Sequence, residues 1–269
     1  MIFADAGLSR RLEKAEARAR AHPENAAEWM EVAGASIVYD GPTSPLTQTF
    51  GLGLFGTVTS GALTRIEAFF RDRGAPVFHE VSPLADVALV PLLNERGYQP
   101  VEFTSAMFRP IERDIRLDQR PDAHVHVRTV EEGEHQRFAH VAAEGWSEFP
   151  ELREFVQGLG PIGALRKNTV SFFAELDGRP IAAAVLSLFD GVALLAGAST
   201  IPEGRKQGAQ TALLESRLRY AAEQGCDIAM MGASPGSTSQ RNAERRGFRI
   251  AYTRIKWRLA RPVPPPSAP

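Results

Sequence analysis

The hydrophobic pattern is clearest in the C-terminal half, where three apolar runs follow one another closely. They span residues 169–176, 180–189 and 192–200, and only the pairs Asp177-Gly178 and Asp190-Gly191 separate them. Asp-Gly between β-type runs favours a two-residue hairpin turn, because both turn positions require a positive φ. The pattern therefore predicts an antiparallel meander of three strands.

Helical and strand periods alternate on both sides of this meander. Before it, the pattern predicts a strand at 125–128, a helix at 131–144, a loop at 146–149 and a short helix at 152–159. After it, the pattern predicts a helix at 207–223, a strand at 227–232, a helix at 239–246 and a strand at 249–258. The predicted order for this half is β-α-α-β-β-β-α-β-α-β.

The N-terminal half has a weaker pattern. Residues 8–33 show roughly helical spacing that Pro23 interrupts, which predicts two helices, and the alternating Arg and Glu of the first indicate a solvated face. The rest predicts strands at 35–39, 49–61, 77–81 and 103–108 and helices at 63–73 and 83–96. Glycines alternate with apolar residues in the run 49–61, which favours a closely packed strand over a dinucleotide-binding loop.

A repeat relates the two halves. Gly74 and Gly97 lie 23 residues apart, and Gly225 and Gly247 lie 22 residues apart. Each pair brackets a predicted strand and helix, and an aromatic-containing strand follows each pair. Matched spacing of this kind predicts a duplicated architecture. The polar segment 110–124, which contains two prolines, is the predicted linker.

Composition narrows the class of protein. The 269 residues exceed a typical single domain, and 43% hydrophobic and 23% charged residues are typical of a folded protein. A net charge of −1 provides no field to attract nucleic acid or an anionic membrane. The sequence has no apolar stretch of the ~20 residues that a membrane helix needs. The N-terminal residues become charged too early for a signal peptide, and the single Cys226 excludes an internal disulfide, so we expect a cytoplasmic protein.

The loop after the meander has the features of an anion site. Arg205 and Lys206 precede Gly208 at the predicted start of a helix. The first turn of a helix carries unpaired backbone N–H groups and partial positive charge, and glycine lets a ligand approach the backbone closely. These features predict a diphosphate site, and an ordinary strand-to-helix turn with solvated basic residues is the alternative.

The pattern R-x-x-G-x-Q from Arg205 to Gln210 resembles the acyl-coenzyme A loop of the GNAT superfamily of N-acetyltransferases. The usual form ends in Gly or Ala, so Gln210 departs from it. The helix end from Asn242 to Gly247-Phe248 also resembles the family, as does the element order over residues 125–259. The resemblance implies an α/β fold with two GNAT-like domains, each a mostly antiparallel central sheet flanked by helices. The implied domains are a degenerate N-terminal copy at 1–115, which lacks the basic loop, and an acetyl-CoA-binding domain at 116–260. The proline-rich composition of the tail at 261–269 predicts that it is disordered.

The resemblance also implies roles for individual residues. Ser199 and Thr200 would pair with the pantetheine arm of acetyl-CoA through backbone groups, although both also suit a plain strand end. Asn242 would hydrogen-bond near the thioester, although it also suits an exposed helix surface. The residues implied to surround the diphosphate are Arg205, Lys206, Gln207, Gly208, Ala209, Gln210 and Thr211.

The implied reaction is direct attack of an amine on the thioester. Glu144 and Glu148 flank Trp146 where the family often binds its acceptor, so they are the candidate bases, with a solvated surface role as the alternative. Ala243 stands where many members carry a tyrosine that protonates the leaving thiolate, and it cannot donate a proton. The histidines at 124, 126, 135 and 140 show no spacing typical of a metal site, so no metal is expected.

Two functions remain open at this point. One is an acetyl-CoA-dependent N-acetyltransferase that acts on an amine of a small molecule or a protein, as a monomer or homodimer. The other is a non-catalytic module that binds acyl-CoA or another ligand, which Ala243 favours. A nucleotide hydrolase is excluded, because the glycine loop has no following Lys-Ser/Thr pair and no acidic metal ligand follows a strand.

Overall fold

The computed structural model describes residues 2–20, 27–112, 124–151, 153–154, 156–157 and 168–260. Within these residues, eleven strands form one mixed sheet that helices cover on both faces. The fold is therefore α/β with a single large sheet. None of the helices in this part of the chain has the length and apolar character that crossing a bilayer requires.

The strands and helices are numbered in chain order. The strands are β1 Glu28–Val32, β2 Ala35–Tyr39, β3 Gln48–Phe50, β4 Phe78–Val81, β5 Tyr98–Pro110, β6 Val125–Thr129, β7 Thr169–Leu176, β8 Arg179–Phe189, β9 Val192–Thr200, β10 Ile228–Ala233 and β11 Arg249–Leu259. The helices are α1 Ala6–Arg20, α2 Ser60–Arg71, α3 Leu89–Glu95, α4 His135–Glu144, α5 Ala209–Glu223 and α6 Thr238–Arg245.

The two halves exchange their last strands at the centre of the sheet. The strand order is β1-β2-β3-β4-β11-β5-β10-β9-β8-β7-β6. β11 pairs antiparallel with β4 of the first half, and β5 pairs antiparallel with β10 of the second. β5 and β11 also pair with each other. The chain ends of both halves are thus built into one continuous sheet.

The predicted meander is confirmed. β7, β8 and β9 pair antiparallel in succession. Both turns have positive φ at each central residue, with 51° and 76° at Asp177 and Gly178 and 46° and 74° at Asp190 and Gly191. The Asp-Gly pairs therefore determine these hairpins locally.

Three predictions for the N-terminal half are wrong in the type or the extent of the element. The second predicted helix within 8–33 is replaced by β1, which forms a hairpin with β2 through Ala33 and Gly34, at φ 50° and 75°. The predicted strand 49–61 ends at Phe50, because Gly51 and Gly53 adopt φ of 71° and 76° and carry the chain out of the sheet. The helix predicted at 83–96 is also shorter, since α3 begins only at Leu89.

Helices pack against this sheet through hydrophobic clusters, three of which are large. One packs α4 and α5 on the C-terminal strands, and a second packs α2 and α3 on the N-terminal strands. The third packs Leu8, Leu12 and Ala15 of α1 against the other face, on residues of β9, β10 and the central strands. α1 therefore lies behind the strands that form the candidate site.

Some predictions concern residues that the structure does not describe, or bounds that it does not test. The tail 261–269 and most of the linker lie outside the described residues, as do Leu152 and Leu159 of the predicted short helix. The other described residues between 150 and 157 are helical. The domain bounds at 115 and 260 stay predictions.

Candidate functional site

β9 and β10 separate partway along their length. They pair in parallel from Val192 opposite Ile228 to Leu194 opposite Met230, and the pairing ends there. β9 continues to Thr200 and β10 to Ala233. The separation leaves backbone N–H and C=O groups of both strands without a ladder partner on the inner side, where a ligand can pair with them.

A bulge in β9 accompanies the separation. Ala183 lies opposite Ser199 and Val185 opposite Ala196, so two residues of β9, Gly197 and Ala198, face a single residue of β8. Gly197 has φ 58°. Such a bulge bends the strand, and glycine adopts the left-handed conformation without the steric penalty of a Cβ.

The buried guanidinium of Arg217 from α5 supports this bulge. Its Nη1 donates to the carbonyl oxygens of Val185 at 3.0 Å and Ala196 at 3.3 Å, and its Nε donates to Leu213 at 3.1 Å. Burial lowers the pKa of Arg217 to about 9. The two acceptors flank the bulge, so Arg217 fixes its shape. The sequence pattern did not predict this role, and the only sequence feature that points to it is an arginine within the apolar face of a helix.

The loop between β9 and α5 presents an open helix N-terminus. A single 3₁₀ turn at Pro202–Gly204 precedes it, and Lys206 and Gly208 have φ of 63° and 78°. Gly208 is the N-cap of α5, and within the described chain no side chain caps this end. The first N–H groups of α5 are thus available to an anion.

Hydrogen bonds join the end of β9 to both neighbouring helices, α4 and α5. Ser199 Oγ donates to the carbonyl of Ala142 at 2.8 Å, and Gln210 Nε2 donates to Thr200 Oγ1 at 2.8 Å. Gly145 packs so closely that an added Cβ would lie 2.5 Å from that of Ser199. The Gln210 side chain therefore joins the strand end to the first turn of α5.

Two adjoining cavities of 420 and 480 Å³ occupy the gap and its mouth, and together we call them the cleft. Both are lined by Trp146, Gln210, Thr211 and Asn242. The predicted residues that line only the second are Ser199, Thr200, Arg205, Lys206, Gly208 and Ala209. Gln207 is exposed in the same loop but is not among the lining residues of either cavity.

The two candidate bases lie beside the cleft rather than in its walls. Glu148 accepts a hydrogen bond from Arg205 at 2.7 Å, which lowers the pKa of this carboxyl group. Glu144 accepts from Arg153 at 3.1 Å. Ala243 is buried in the cleft wall, so it provides no proton donor there.

A third cavity, of 510 Å³, opens on the α1 face of the sheet, and we call it the opposite cavity. It shares Trp146, Gly197, Gly232, Leu195 and Ala196 with the cleft, so both open on the same gap between β9 and β10. Its charged lining residues are Glu16, Glu80, Glu102, Arg254 and Lys256.

A buried ion-pair cluster forms one wall of this cavity. Arg254 Nη1 lies 2.5 Å from Glu16 and 3.2 Å from Glu13, and its Nε lies 3.2 Å from Glu80. All four side chains are at most 5% exposed. The predicted solvated face of the first helix is therefore wrong for Glu13 and Glu16, because strand β11 supplies a buried arginine as their partner.

Within the described residues, no group of three or more His, Cys, Asp or Glu side chains is placed to hold a metal ion. The single cysteine, Cys226, is buried just before β10.

Comparisons with known proteins agree with this geometry. Residues 112–236 match the model of the acetyltransferase (GNAT) domain family. A GCN5-related N-acetyltransferase from Kribbella flavida aligns with a TM-score of 0.70 at 19% identity, over 94% of this chain and 96% of that one. No curated protein matches the chain by sequence.

Two further structures share the arrangement. A functionally unknown conserved protein from Staphylococcus epidermidis aligns with a TM-score of 0.62 at 12% identity, over 86% of this chain and 92% of that one. A tandem GNAT protein from the clavulanic acid biosynthesis pathway aligns with a TM-score of 0.55 at 11% identity, over 85% and 79% of the two chains. Residues 112–236 thus match the acetyltransferase (GNAT) domain family, and the fold of the chain is shared with GNAT proteins of known structure.

Proposed function

We propose that the protein transfers an acetyl group from acetyl-CoA to an amine by direct attack of the amine on the thioester. The observation that carries this proposal is the gap between β9 and β10 beside the uncapped N-terminus of α5. The match of residues 112–236 to the GNAT acetyltransferase domain supports it.

The residues of the cleft fit the co-substrate. The backbone N–H groups from Gln207 to Thr211, with Arg205 and Lys206, would hold its diphosphate, because they combine a helix N-terminus with two full positive charges. The left-handed Gly208 has no Cβ to block this approach. Unpaired backbone groups near Ser199 and Thr200 would hold the pantetheine arm, and Asn242 would lie near its far end.

Bound acetyl-CoA supplies an activated acyl carbon. The amine nitrogen forms the new C–N bond as the C–S bond breaks. An ammonium acceptor gives up two protons, one to a base or solvent before attack and one that ends on the departing thiolate. A strand backbone N–H near Ser199 would stabilise the developing oxyanion.

Glu144 and Glu148 remain the candidate bases. The contact between Glu148 and Arg205 favours a second role for Glu148, which is to orient that guanidinium beside the loop. We also propose a cytoplasmic protein that acts as a monomer or homodimer on a small-molecule or protein amine, without a metal, nucleic acid or membrane partner.

A non-catalytic acyl-CoA-binding module is the second candidate, and the buried Ala243 favours it. To separate the two, the protein is incubated with acetyl-CoA and a panel of amines while free thiol is followed. Thiol release that depends on both the protein and an amine supports transfer. Calorimetric binding of acetyl-CoA without release for any amine supports the binding module.

A further inference from the structure

Arg217 brings a positive charge to the inner end of the cleft. Its acceptors Val185 and Ala196 belong to neighbouring strands, and Ala196 lies only two residues beyond Leu194, where the pairing of β9 with β10 ends. Along α5, Arg217 lies eight residues after Ala209 at the helix N-terminus, which is about 12 Å along the helix axis. The proposed diphosphate site and Arg217 therefore lie at opposite ends of the cleft.

Two of the five N–H groups of this guanidinium are free to contact a ligand. Nη1 and Nε use the other three for the carbonyl oxygens of Val185, Ala196 and Leu213. In the described part of the chain no hydrogen bond involves Nη2. Arg217 is only 3% exposed, yet it lines the 420 Å³ cavity of the cleft, which we call the inner cavity. Because a buried donor without a partner costs free energy, a negatively charged ligand atom in the inner cavity would stabilise this group.

The charge on Arg217 is not balanced by a neighbouring side chain. Among the described residues no carboxylate forms an ion pair with it, and burial is what lowers its pKa to about 9. The guanidinium therefore stays mostly protonated at neutral pH. The other charged residue that lines the inner cavity is Arg246, and Glu215 lies 2.9 Å from it. Net positive charge thus faces the inner end of the cleft.

The proposed reaction develops negative charge at this end. As the electron pair of the amine forms the C–N bond, the electron pair of the breaking C–S bond moves to sulfur. Ala243 lines the inner cavity together with Arg217, and its methyl group cannot protonate this sulfur. A guanidinium held in place stabilises the new charge without giving up a proton, because donors fixed in a buried site need no reorganisation during the reaction.

We propose that Arg217 stabilises the departing thiolate of CoA through the two N–H groups of Nη2, so that the reaction needs no proton donor in the cleft wall. This inference rests on the proposed acetyl transfer. CoA leaves as the thiolate, the second proton of the amine passes to solvent, and the sulfur takes up a proton from solvent after release. The hydrogen bonds to Val185 and Ala196 hold the guanidinium in position.

The test compares CoA with desulfo-CoA, in which hydrogen replaces the thiol group, by calorimetry at pH 6.5 and pH 8.5. The phosphate groups of the two compounds titrate alike, so the ratio of their dissociation constants isolates the thiol. A free thiol has a pKa of about 8.5, and a neighbouring opposite charge favours its ionised form. If Arg217 lowers this pKa to about 7, the affinity for CoA relative to desulfo-CoA should rise roughly tenfold from pH 6.5 to pH 8.5.

Two substitutions separate the charge of Arg217 from its support of the bulge. Arg217→Gln keeps a donor for the bulge carbonyls and removes the charge, whereas Arg217→Lys keeps the charge. The rise with pH should vanish in Arg217→Gln and persist in Arg217→Lys, while both variants bind desulfo-CoA as the wild type does. In the transfer reaction, Arg217→Gln should lower kcat by roughly 10²-fold or more, and Arg217→Lys should restore part of this loss.

Arg219→Gln is the matched control. Arg219 lies in the same helix, is 45% exposed and forms a 3.9 Å ion pair with Glu215, but it lines neither cavity of the cleft. This variant should keep both the rise with pH and the wild-type kcat. Circular dichroism and thermal unfolding of all variants separate a lost charge from a lost fold, and the wild-type ratio decides the inference even where a variant does not fold.

The outcomes distinguish this inference from the function on which it rests. Absence of thiol release with every amine overturns the proposed transfer, and the calorimetric ratio then tests the contact between Arg217 and the sulfur alone. A wild-type ratio that does not change with pH, or an equal rise in Arg217→Gln, overturns the inference. If transfer occurs and Arg217→Gln keeps the wild-type kcat, the inference is wrong. Faster transfer from succinyl-CoA than from acetyl-CoA that is lost in Arg217→Gln would assign the guanidinium to a carboxylate of the acyl group, and this also overturns it.

Discussion

Replacement of Gly208 tests the diphosphate site in two separable steps. Gly208 caps α5 at φ 78°, and an L-residue in this conformation costs roughly 1–2 kcal/mol. Gly208→Ala therefore measures the effect of strain and of an added Cβ. Gly208→Asp adds a negative charge where the diphosphate would lie.

The magnitude of the charge effect follows from Coulomb's law. Two unit charges about 4 Å apart interact by about 1 kcal/mol in water and about 4 kcal/mol at an effective dielectric constant of 20. The loop from Arg205 to Gly208 is exposed, so the lower part of this range applies to each phosphate charge. For two such charges we expect Gly208→Asp to weaken acetyl-CoA binding by roughly 30-fold or more, since about 1.4 kcal/mol is tenfold.

Gly225→Ala is the matched control. Gly225 follows the other end of the same helix at φ 76°, and an added Cβ there meets nothing within 4 Å. It imposes the same backbone strain far from the loop. Calorimetry with acetyl-CoA and thermal unfolding are measured for all three variants.

We expect Gly208→Ala and Gly225→Ala to lose similar amounts of stability. Only the substitutions at Gly208 should weaken the binding of acetyl-CoA. Wild-type affinity in Gly208→Asp would show that the diphosphate binds elsewhere. Equal weakening by Gly225→Ala would show that helix stability, rather than contact with the ligand, controls binding.

Two further predictions concern carboxylates. Glu148→Gln removes the carboxylate that pairs with Arg205, which leaves this guanidinium free for the diphosphate. Titration calorimetry should therefore show that the variant binds acetyl-CoA roughly two- to fivefold more tightly than the wild type. If Glu148 is instead the catalytic base, the substitution lowers kcat by about 10²–10⁴. Glu13 is buried beside Arg254, Glu16, Glu80 and Tyr252, and mainly its burial raises its pKa from 4.5 to about 7. Because the folded state holds this proton more tightly, the stabilisation is complete below about pH 4.5 and is lost as the pH rises through 7, by roughly 3 kcal/mol at most. Chemical unfolding at pH 5 and pH 8 measures how much stability is lost between these two pH values. This loss should be smaller for Glu13→Gln than for the wild type. An equal loss in both proteins would contradict the raised pKa of Glu13.

The features that the sequence predicted well are determined by local interactions. The Asp-Gly pairs specify the β7–β9 hairpins, and Gly208 specifies a left-handed residue at the start of α5. The spacing of Gly74, Gly97, Gly225 and Gly247 marks helix ends, and each has φ between 66° and 79°. After an apolar run of the right length, these residues leave few alternatives for the backbone.

The features that the sequence did not predict depend on distant parts of the chain. The Ala33–Gly34 turn lacks the usual Asn or Asp, so the sequence pattern predicts a helix where β1 forms a hairpin with β2. The exchange of β5 and β11 joins segments that no local pattern relates. Glu13 and Glu16 have the spacing of solvated residues, and only Arg254 near the other end of the chain explains their burial.

The element order also bears on the repeat. β1-β2-β3-α2-β4-α3-β5 in the first half has the same order as β7-β8-β9-α5-β10-α6-β11 in the second. This agreement favours the predicted duplication. The interpretation of the first half as a degenerate copy of the second stays a prediction.

A crystal structure determined with acetyl-CoA tests the central claim most directly. We expect density for acetyl-CoA between β9 and β10, with the diphosphate within hydrogen-bonding distance of backbone N–H groups at residues 207–211. Density at another place, or none at millimolar acetyl-CoA, would contradict it.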